Sequence, residues 1–289
     1  MIDLHTHSNK SDGTLSPKEL VKLAKDMGLE AIALTDHDTM DGLDEARTEG
    51  KRLGVEIISG VELSTDYKGM EVHILGFCME EYNPEFLKKL KEFADGRERR
   101  NEKMAQLLQK EGFDIRIEDL LQEYPESVIT RAHFSRYLVD HGFVEDFDTV
   151  FREYLGQGCR CYVPRKKHTP FEAVKLIRLG KGVPVFAHPV LCHLKEADLF
   201  SLLKELKEAG LAGMEAIYSM NGSEDEKNLL GLAKELGLLV SGGSDFHGAN
   251  KPHIQLGTGR GNLQIPYGIL EEMKNWRLEQ YGPAHSPKT

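Results

Sequence analysis

The chain has 289 residues, 40% of them hydrophobic and 29% charged, enough apolar material for one large α/β domain or a domain carrying an insertion, and too much for wholesale disorder. A formal net charge of −10 argues against sequence-independent binding to long nucleic acid, although a local basic patch suffices for a small phosphorylated ligand. No apolar run approaches membrane-spanning length, no basic-then-apolar leader opens the chain, and Cys78, Cys159, Cys161 and Cys192 are too irregularly spaced for a disulfide framework or a zinc knuckle, so a cytoplasmic protein without membrane contact is expected.

Ile2 and Leu4 alternate with polar positions before the chain breaks into small polar residues, the pattern of a short buried strand ending in a loop. Residues two apart on a strand share a face, so His5 and His7 present two imidazoles side by side, with Asp12 adding an oxygen ligand from the loop. Alone, such a histidine pair is a weak signal, because paired strand histidines are frequently ordinary half-buried side chains. Ser16, Pro17 and Glu19 form a helix start, and Leu20, Leu23, Ala24 and Met27 continue at helical spacing until Gly28. Strands follow over residues 30–35 and 55–62, separated by a helix over 42–53, and another over 71–77 with no helix before it. Strand–helix alternation points to parallel βαβ units.

From Asn83 to about Val163 the chain is helical and charge-rich, with helices predicted over 86–109, 117–123, 131–141 and 149–155. This reads as an all-helical insertion. Alternation then resumes: helix 171–179, strand 183–187, helix 197–209, strand 213–217, helix 223–236 and strand 238–242. The expected organisation is a discontinuous barrel domain (1–82 and 164–281), an insertion (83–163) and a tail (282–289). About seven strands in a little over two hundred residues suit a (β/α) barrel, with an open doubly wound sheet as competitor.

The placement of polar residues favours the barrel. Asp36 and His37 follow the second strand, Glu62 closes the third, and His73 lies within the fourth. His188 follows the fifth, and Asp245 and His247 follow the last. A barrel gathers strand ends around one rim, whereas an open sheet scatters them along an edge. Each has a bland alternative as a turn, cap or satisfied core histidine. Together they would cost several kcal/mol if buried without a cation.

The succession His5-Thr6-His7, Thr35-Asp36-His37, Gly60-Val61-Glu62, His73-Ile74-Leu75-Gly76, Ala187-His188-Pro189 and Ser244-Asp245-Phe246-His247 resembles the motifs of the PHP (polymerase and histidinol phosphatase) superfamily of metal-dependent phosphoesterases. Segments 129–134, 137–139 and 150–155 resemble the insert of its stand-alone, tryptophan-operon-linked bacterial members, which are associated with nucleoside 3′,5′-bisphosphate phosphatase and 5′→3′ exoribonuclease activity. The resemblance implies a distorted (β/α)7 barrel with three metal ions. His5, His7, Glu62 and Asp245 would hold one. Glu62 would bridge to a second on His73 and His188, and Asp12, His37 and His247 would hold the third. Mixed imidazole and carboxylate donors suit Mn²⁺, Fe²⁺ or Zn²⁺, with Mn²⁺ or Zn²⁺ favoured, over Mg²⁺ or Ca²⁺. Glu62, His188, Asp245 and His247 would carry the chemistry.

Specificity is assigned to the insertion. Arg97, Arg100 and Asn101 sit at i, i+3 and i+4 on one helix face, and Arg131 and His133 near another helix start, where a helix N-terminus also favours anions. Residues 165–168 add a basic run. The leading expectation is removal of the 3′-phosphate from nucleoside 3′,5′-bisphosphates, with the 5′-phosphate anchored by the insertion. A 5′→3′ exoribonuclease on short 5′-phosphorylated RNA, a small-metabolite phosphatase such as a histidinol phosphatase, and a non-catalytic metal-binding module are the alternatives. His141, His168, His193, His253 and His285 are assigned to surface or structural roles.

Overall fold

The computed structural model describes residues 1–125, 127–164 and 168–283. Seven strands form one sheet in chain order: β1 (Ile2–Thr6), β2 (Ala31–Leu34), β3 (Glu56–Tyr67), β4 (Met70–Phe77), β5 (Val183–Phe186), β6 (Gly213–Tyr218) and β7 (Leu239–Gly243). The sheet curls until its ends meet: beyond β7 the amide of Asp245 donates to the carbonyl of His5 at 2.9 Å, and that of His7 to Phe246 at 2.9 Å. The result is an α/β barrel, and the closing hydrogen bonds lie at the rim where the histidines gather.

Pairing is parallel for β1–β2, β2–β3, β5–β6 and β6–β7, but β4 runs antiparallel to both β3 and β5. The parallel pairs are those whose strands alternate with helices, whereas β4 follows β3 with no helix between. β3 does not stop at Glu62; it continues to Tyr67 and reverses through Lys68 and Gly69, at φ 54° and 86°. Two successive left-handed residues make the tight hairpin connection that matches strand twist. The reversal brings the first half of β4 to the rim, which is how His73, mid-strand and opposite Ser64, reaches the strand-end residues of its neighbours.

The barrel helices are α1 (Pro17–Asp26), α2 (Leu43–Leu53), α7 (Pro170–Leu179), α8 (Glu196–Glu208), α9 (Ser223–Leu236) and α10 (Gly268–Tyr281). Ser16 and Glu19 form the anticipated capping box, with Pro17 in the first turn. The sequence pattern marks no element between residue 242 and the tail. There α10 places Leu270, Met273 and Trp276 against the apolar side chains of β1, β2, β4 and β5.

The helical segment comprises α3 (Pro84–Lys110), α4 (Ile117–Glu123), α5 (Arg131–Asp140) and α6 (Phe147–Val150), then a π-helical turn over Phe151–Leu155. Its own core includes Met104, Leu108, Leu120, Phe134, Leu138 and Leu155. Phe86, Leu90 and Phe93 of α3 belong instead to the barrel's core, so the division between cores falls within α3. Polar ties seat this segment over the rim: Ser127 Oγ donates to Asn9 O at 2.5 Å, Val128 N to Lys10 O at 2.9 Å, and an Arg136 guanidinium N–H to Asn250 Oδ1 at 2.7 Å. Among the described residues no helix is long and apolar enough to cross a membrane.

Candidate metal centre and anion pocket

Glu62 is the hub of the rim. Its Oε2 stands 3.2 Å from His5 Nε2, 3.1 Å from His7 Nε2 and 3.3 Å from His37 Nδ1. Its Oε1 stands 2.8 Å from His73 Nδ1 and 2.9 Å from His188 Nε2. Asp245 Oδ1 lies 3.4 Å from His7 Nε2 and 3.7 Å from His5 Nε2. On the other side, Asp12 Oδ1 faces His247 Nε2 at 3.2 Å, and Asp12 Oδ2 faces His37 Nε2 at 3.8 Å. The His5 and His7 rings are 5.2 Å apart, as strand alternation requires.

Three sets of donor atoms lie within 4.8 Å of one another: His7, Asp12, His37 and His247; His5, His7 and Asp245; and His37, Glu62 and His73. His5 Nε2, His7 Nε2, His37 Nδ1 and Asp12 Oδ1 are all buried without a hydrogen-bond partner. Orphaned polar atoms gathered at one rim are costly, and divalent ions bound there would satisfy them. Imidazole and carboxylate donors in this proportion fit such an ion.

Electrostatics agree. Burial disfavours charge on Glu62, Asp12 and Asp245, yet the surrounding histidines, with Lys251 beside Asp245, hold all three well below the usual carboxylate range. Burial also opposes the imidazoliums of His7 and His73. Asp245 and Glu62 around His7, and Glu62 and Glu71 around His73, outweigh it and raise both to about 9. The same surrounding negative charge that holds a proton on these rings would favour a metal cation in its place.

Three residues outside the sequence motifs aim these side chains. Glu215, fully buried in β6, lies 2.9 Å from His5 Nδ1 and accepts the amide of His188 at 2.8 Å. A glutamate inside the apolar strand of residues 213–217 was the available signal, since a buried carboxylate must be partnered. Tyr218 Oη and Lys251 Nζ donate to Asp245 Oδ2 at 2.8 and 2.6 Å. His247 Nδ1 donates to the carbonyl of Asp245 at 2.9 Å, which leaves a lone pair on Nε2 in the neutral ring. Asp36, which also follows a strand end, ties down the first loop, accepting from Ser8 N, Ser8 Oγ and Ser11 Oγ at 2.8, 2.6 and 2.6 Å. Asp38, His188 and Asp245 all have positive φ, at 55°, 27° and 58°, backbone strain of the kind stored at functional sites.

Above the rim lies a cavity of about 390 Å³, with Asp12, His37, Glu62, His73, His188, Asp245 and His247 on its barrel wall and Arg97, Arg100 and Arg131 on its roof. Arg97 holds Asp38 Oδ2 through Nε and Nη2 at 2.8 and 2.6 Å and reaches Ser64 Oγ at 2.8 Å. Arg131 donates to Glu71 Oε2 at 2.6 Å. Asn101 and His133 lie outside the lining. Asn101 Nδ2 donates to Ile129 O at 2.9 Å, and Thr130 N donates to His133 Nδ1 at 3.0 Å, closing a cap on α5. Of the basic run at 165–168, the first three residues lie outside the described ones, as do His285 and the end of the tail. His168 stacks on Phe93 with centroids 3.7 Å apart.

A barrel rim of convergent histidines and carboxylates beneath an arginine-bearing roof defines a metal-dependent phosphoesterase. The chain belongs to the PHP family: residues 3–160 match the model of the PHP domain. It is similar to a 5′→3′ exoribonuclease of Haemophilus influenzae, 36% identical over 85% of this chain and 89% of that protein. It is likewise similar to a 3′,5′-nucleoside bisphosphate phosphatase of Chromobacterium violaceum, 35% identical over 85% of this chain and 87% of the relative. A solved structure from Bifidobacterium adolescentis, assigned to the metal-dependent phosphoesterases, superposes with a TM-score of 0.84 at 29% identity, covering 94% of each chain.

Proposed function

We propose that the protein removes the 3′-phosphate from nucleoside 3′,5′-bisphosphates, leaving 5′-mononucleotides. One observation carries this: two anion-recognising surfaces share a single cavity, metal-type ligands on one wall and Arg97, Arg100 and Arg131 on the other. A substrate with two phosphates on one ribose matches that division. The named activity of the Chromobacterium violaceum relative supports it.

In this reading the rim takes three divalent ions, of the Mn²⁺ or Zn²⁺ kind with Fe²⁺ chemically acceptable. His5, His7, Glu62 and Asp245 hold one. Glu62 with His73 and His188 holds the second, and Asp12, His37 and His247 the third. When bound, such ions neutralise charge on phosphoryl oxygens and lower the pKa of nearby water. The chain's own groups do the rest. Glu215 holds His5 in the tautomer that points Nε2 inward. The planar forks of the three arginines grip the 5′-phosphate, with Asp38 and Glu71 fixing two of them from behind. Thr130 and Ala132 bring the N-terminus of α5 to the same cavity. Asn101 and His133 support this wall rather than touch substrate. The free cysteines and small substrate suit a cytoplasmic enzyme.

A second reading is favoured by the Haemophilus influenzae relative: the 3′-phosphate carries further nucleotides, and the enzyme trims 5′-phosphorylated RNA from its 5′ end. The test is incubation of the Mn²⁺-loaded protein with adenosine 3′,5′-bisphosphate, 5′-AMP and a 5′-phosphorylated tetraribonucleotide. Phosphate release from the bisphosphate alone supports the nucleotidase. Stepwise release of 5′-mononucleotides from the tetramer makes RNA the substrate. Turnover of none of the three overturns both.

A further inference from the structure

The cavity has a third kind of wall that neither phosphate explains. Phe147, at the start of α6, and Leu191, in the 3₁₀ turn Pro189–Cys192 after His188, both line it. Leu191 is 41% exposed and Phe147 half-buried. Neither belongs to any of the three hydrophobic clusters of the described residues. Large apolar side chains at the edge of a densely charged cavity gain nothing there from core packing. One comes from the helical roof and the other from the barrel, so the pair straddles the same boundary as the two anion surfaces. Beside them Phe151 lies under the Arg131 guanidinium, 6.0 Å from ring centroid to carbon.

We propose that Phe147 and Leu191 form a clamp for the nucleobase. The inference rests on the nucleotide reading above and deepens it. A nucleoside bisphosphate has two anionic groups and one flat aromatic one, and this cavity offers cation-binding or cationic walls for the first two and an apolar wall for the third. Stacking is indifferent to base identity because every base has a π-face. The clamp therefore selects nucleotides over plain sugar phosphates without choosing among adenine, guanine, cytosine and uracil.

The experiment compares kcat/KM on adenosine 3′,5′-bisphosphate with that on the abasic ribose 3′,5′-bisphosphate bearing hydrogen in place of the base. The metal-loaded wild type, Phe147→Ala, Phe147→Tyr and Leu191→Ala are assayed side by side. The wild type is expected to favour the adenosine substrate roughly ten-fold or more. Phe147→Ala and Leu191→Ala should bring that ratio toward one, through KM more than kcat, while Phe147→Tyr retains it. Equal losses on both substrates, or a wild-type ratio near one, overturn the clamp while leaving the nucleotidase standing. Absence of wild-type turnover on either bisphosphate overturns the parent reading and the clamp with it.

Discussion

His5 and Glu215, from strands β1 and β6 on either side of the barrel's closing strand β7, meet at 2.9 Å in full burial. The contact fixes the proton on Nδ1 and turns Nε2 toward Glu62 and Asp245. Through its second oxygen, Glu215 also holds the amide of His188 at 2.8 Å. In the proposed metal centre Glu215 is the outer partner of two ligands, a role that typically matters by about 10–100-fold in metal affinity or activity. Glu215→Gln keeps the shape and one hydrogen bond but removes the charge. Its metal affinity, measured by competition with a chelator, should fall by roughly that factor. An unchanged affinity would show that Glu215 serves only to fill the barrel.

Asp245 separates a catalytic centre from a binding module. Its carboxylate accepts from Tyr218 and Lys251 while facing His5 and His7. Asp245→Asn preserves volume; Lys251, which loses its charged partner, is one-third exposed, and His5 and His7 keep Glu62, so the fold should survive. Turnover should drop by more than the roughly 10–100-fold expected for an outer partner, with an unaltered circular dichroism spectrum. Retention of near-wild-type turnover would contradict a metal role for this residue.

His133 predicts a pH dependence of stability. Burial holds its imidazole neutral in the folded protein, down to about 4, against an ordinary value of 6.5. A folded pKa below the unfolded one means the unfolded chain takes up the proton first as pH falls. The stabilisation is therefore fully present above about pH 6.5 and is lost progressively toward pH 4, by roughly 3 kcal/mol in all. His133→Gln retains an acceptor for the Thr130 amide, since glutamine serves at this capping position. Chelator-treated wild type and variant should be compared by urea denaturation from pH 7 to pH 4. The variant should lose less stability over this window; parallel curves would count against the assignment.

The convergence of the rim residues was legible because a barrel brings strand ends together. What was not legible depended on long-range geometry. The antiparallel course of β4 hung on Lys68–Gly69, a turn whose left-handed Lys68 carries no sequence signature of its own. Helical spacing puts Arg97, Arg100 and Asn101 on one face, but side-chain length decides which reach the cavity. The arginines do, whereas the short amide of Asn101 is spent on Ile129 O. His133 sits at the right helix end yet turns its Nδ1 back to Thr130. Glu215 has no local signature because its partners, His5 and His188, are 210 and 27 residues away in sequence.

Arg97 has two duties that mutation can separate. It is buried, doubly bonded to the equally buried Asp38 and in reach of the cavity. Removing one partner of a buried ion pair leaves the other charge uncompensated, at a cost of about 3–5 kcal/mol. Arg97→Met should thus lower both stability and activity. Asn is compatible with the left-handed backbone of position 38, so Asp38→Asn added to Arg97→Met should restore much of the stability. It should not restore kcat/KM on a bisphosphate, because the guanidinium proposed to grip the 5′-phosphate is still missing. Thermal denaturation and steady-state kinetics on the two variants decide the matter. Recovery of both properties together would mean that Arg97 acts only as a structural partner of Asp38.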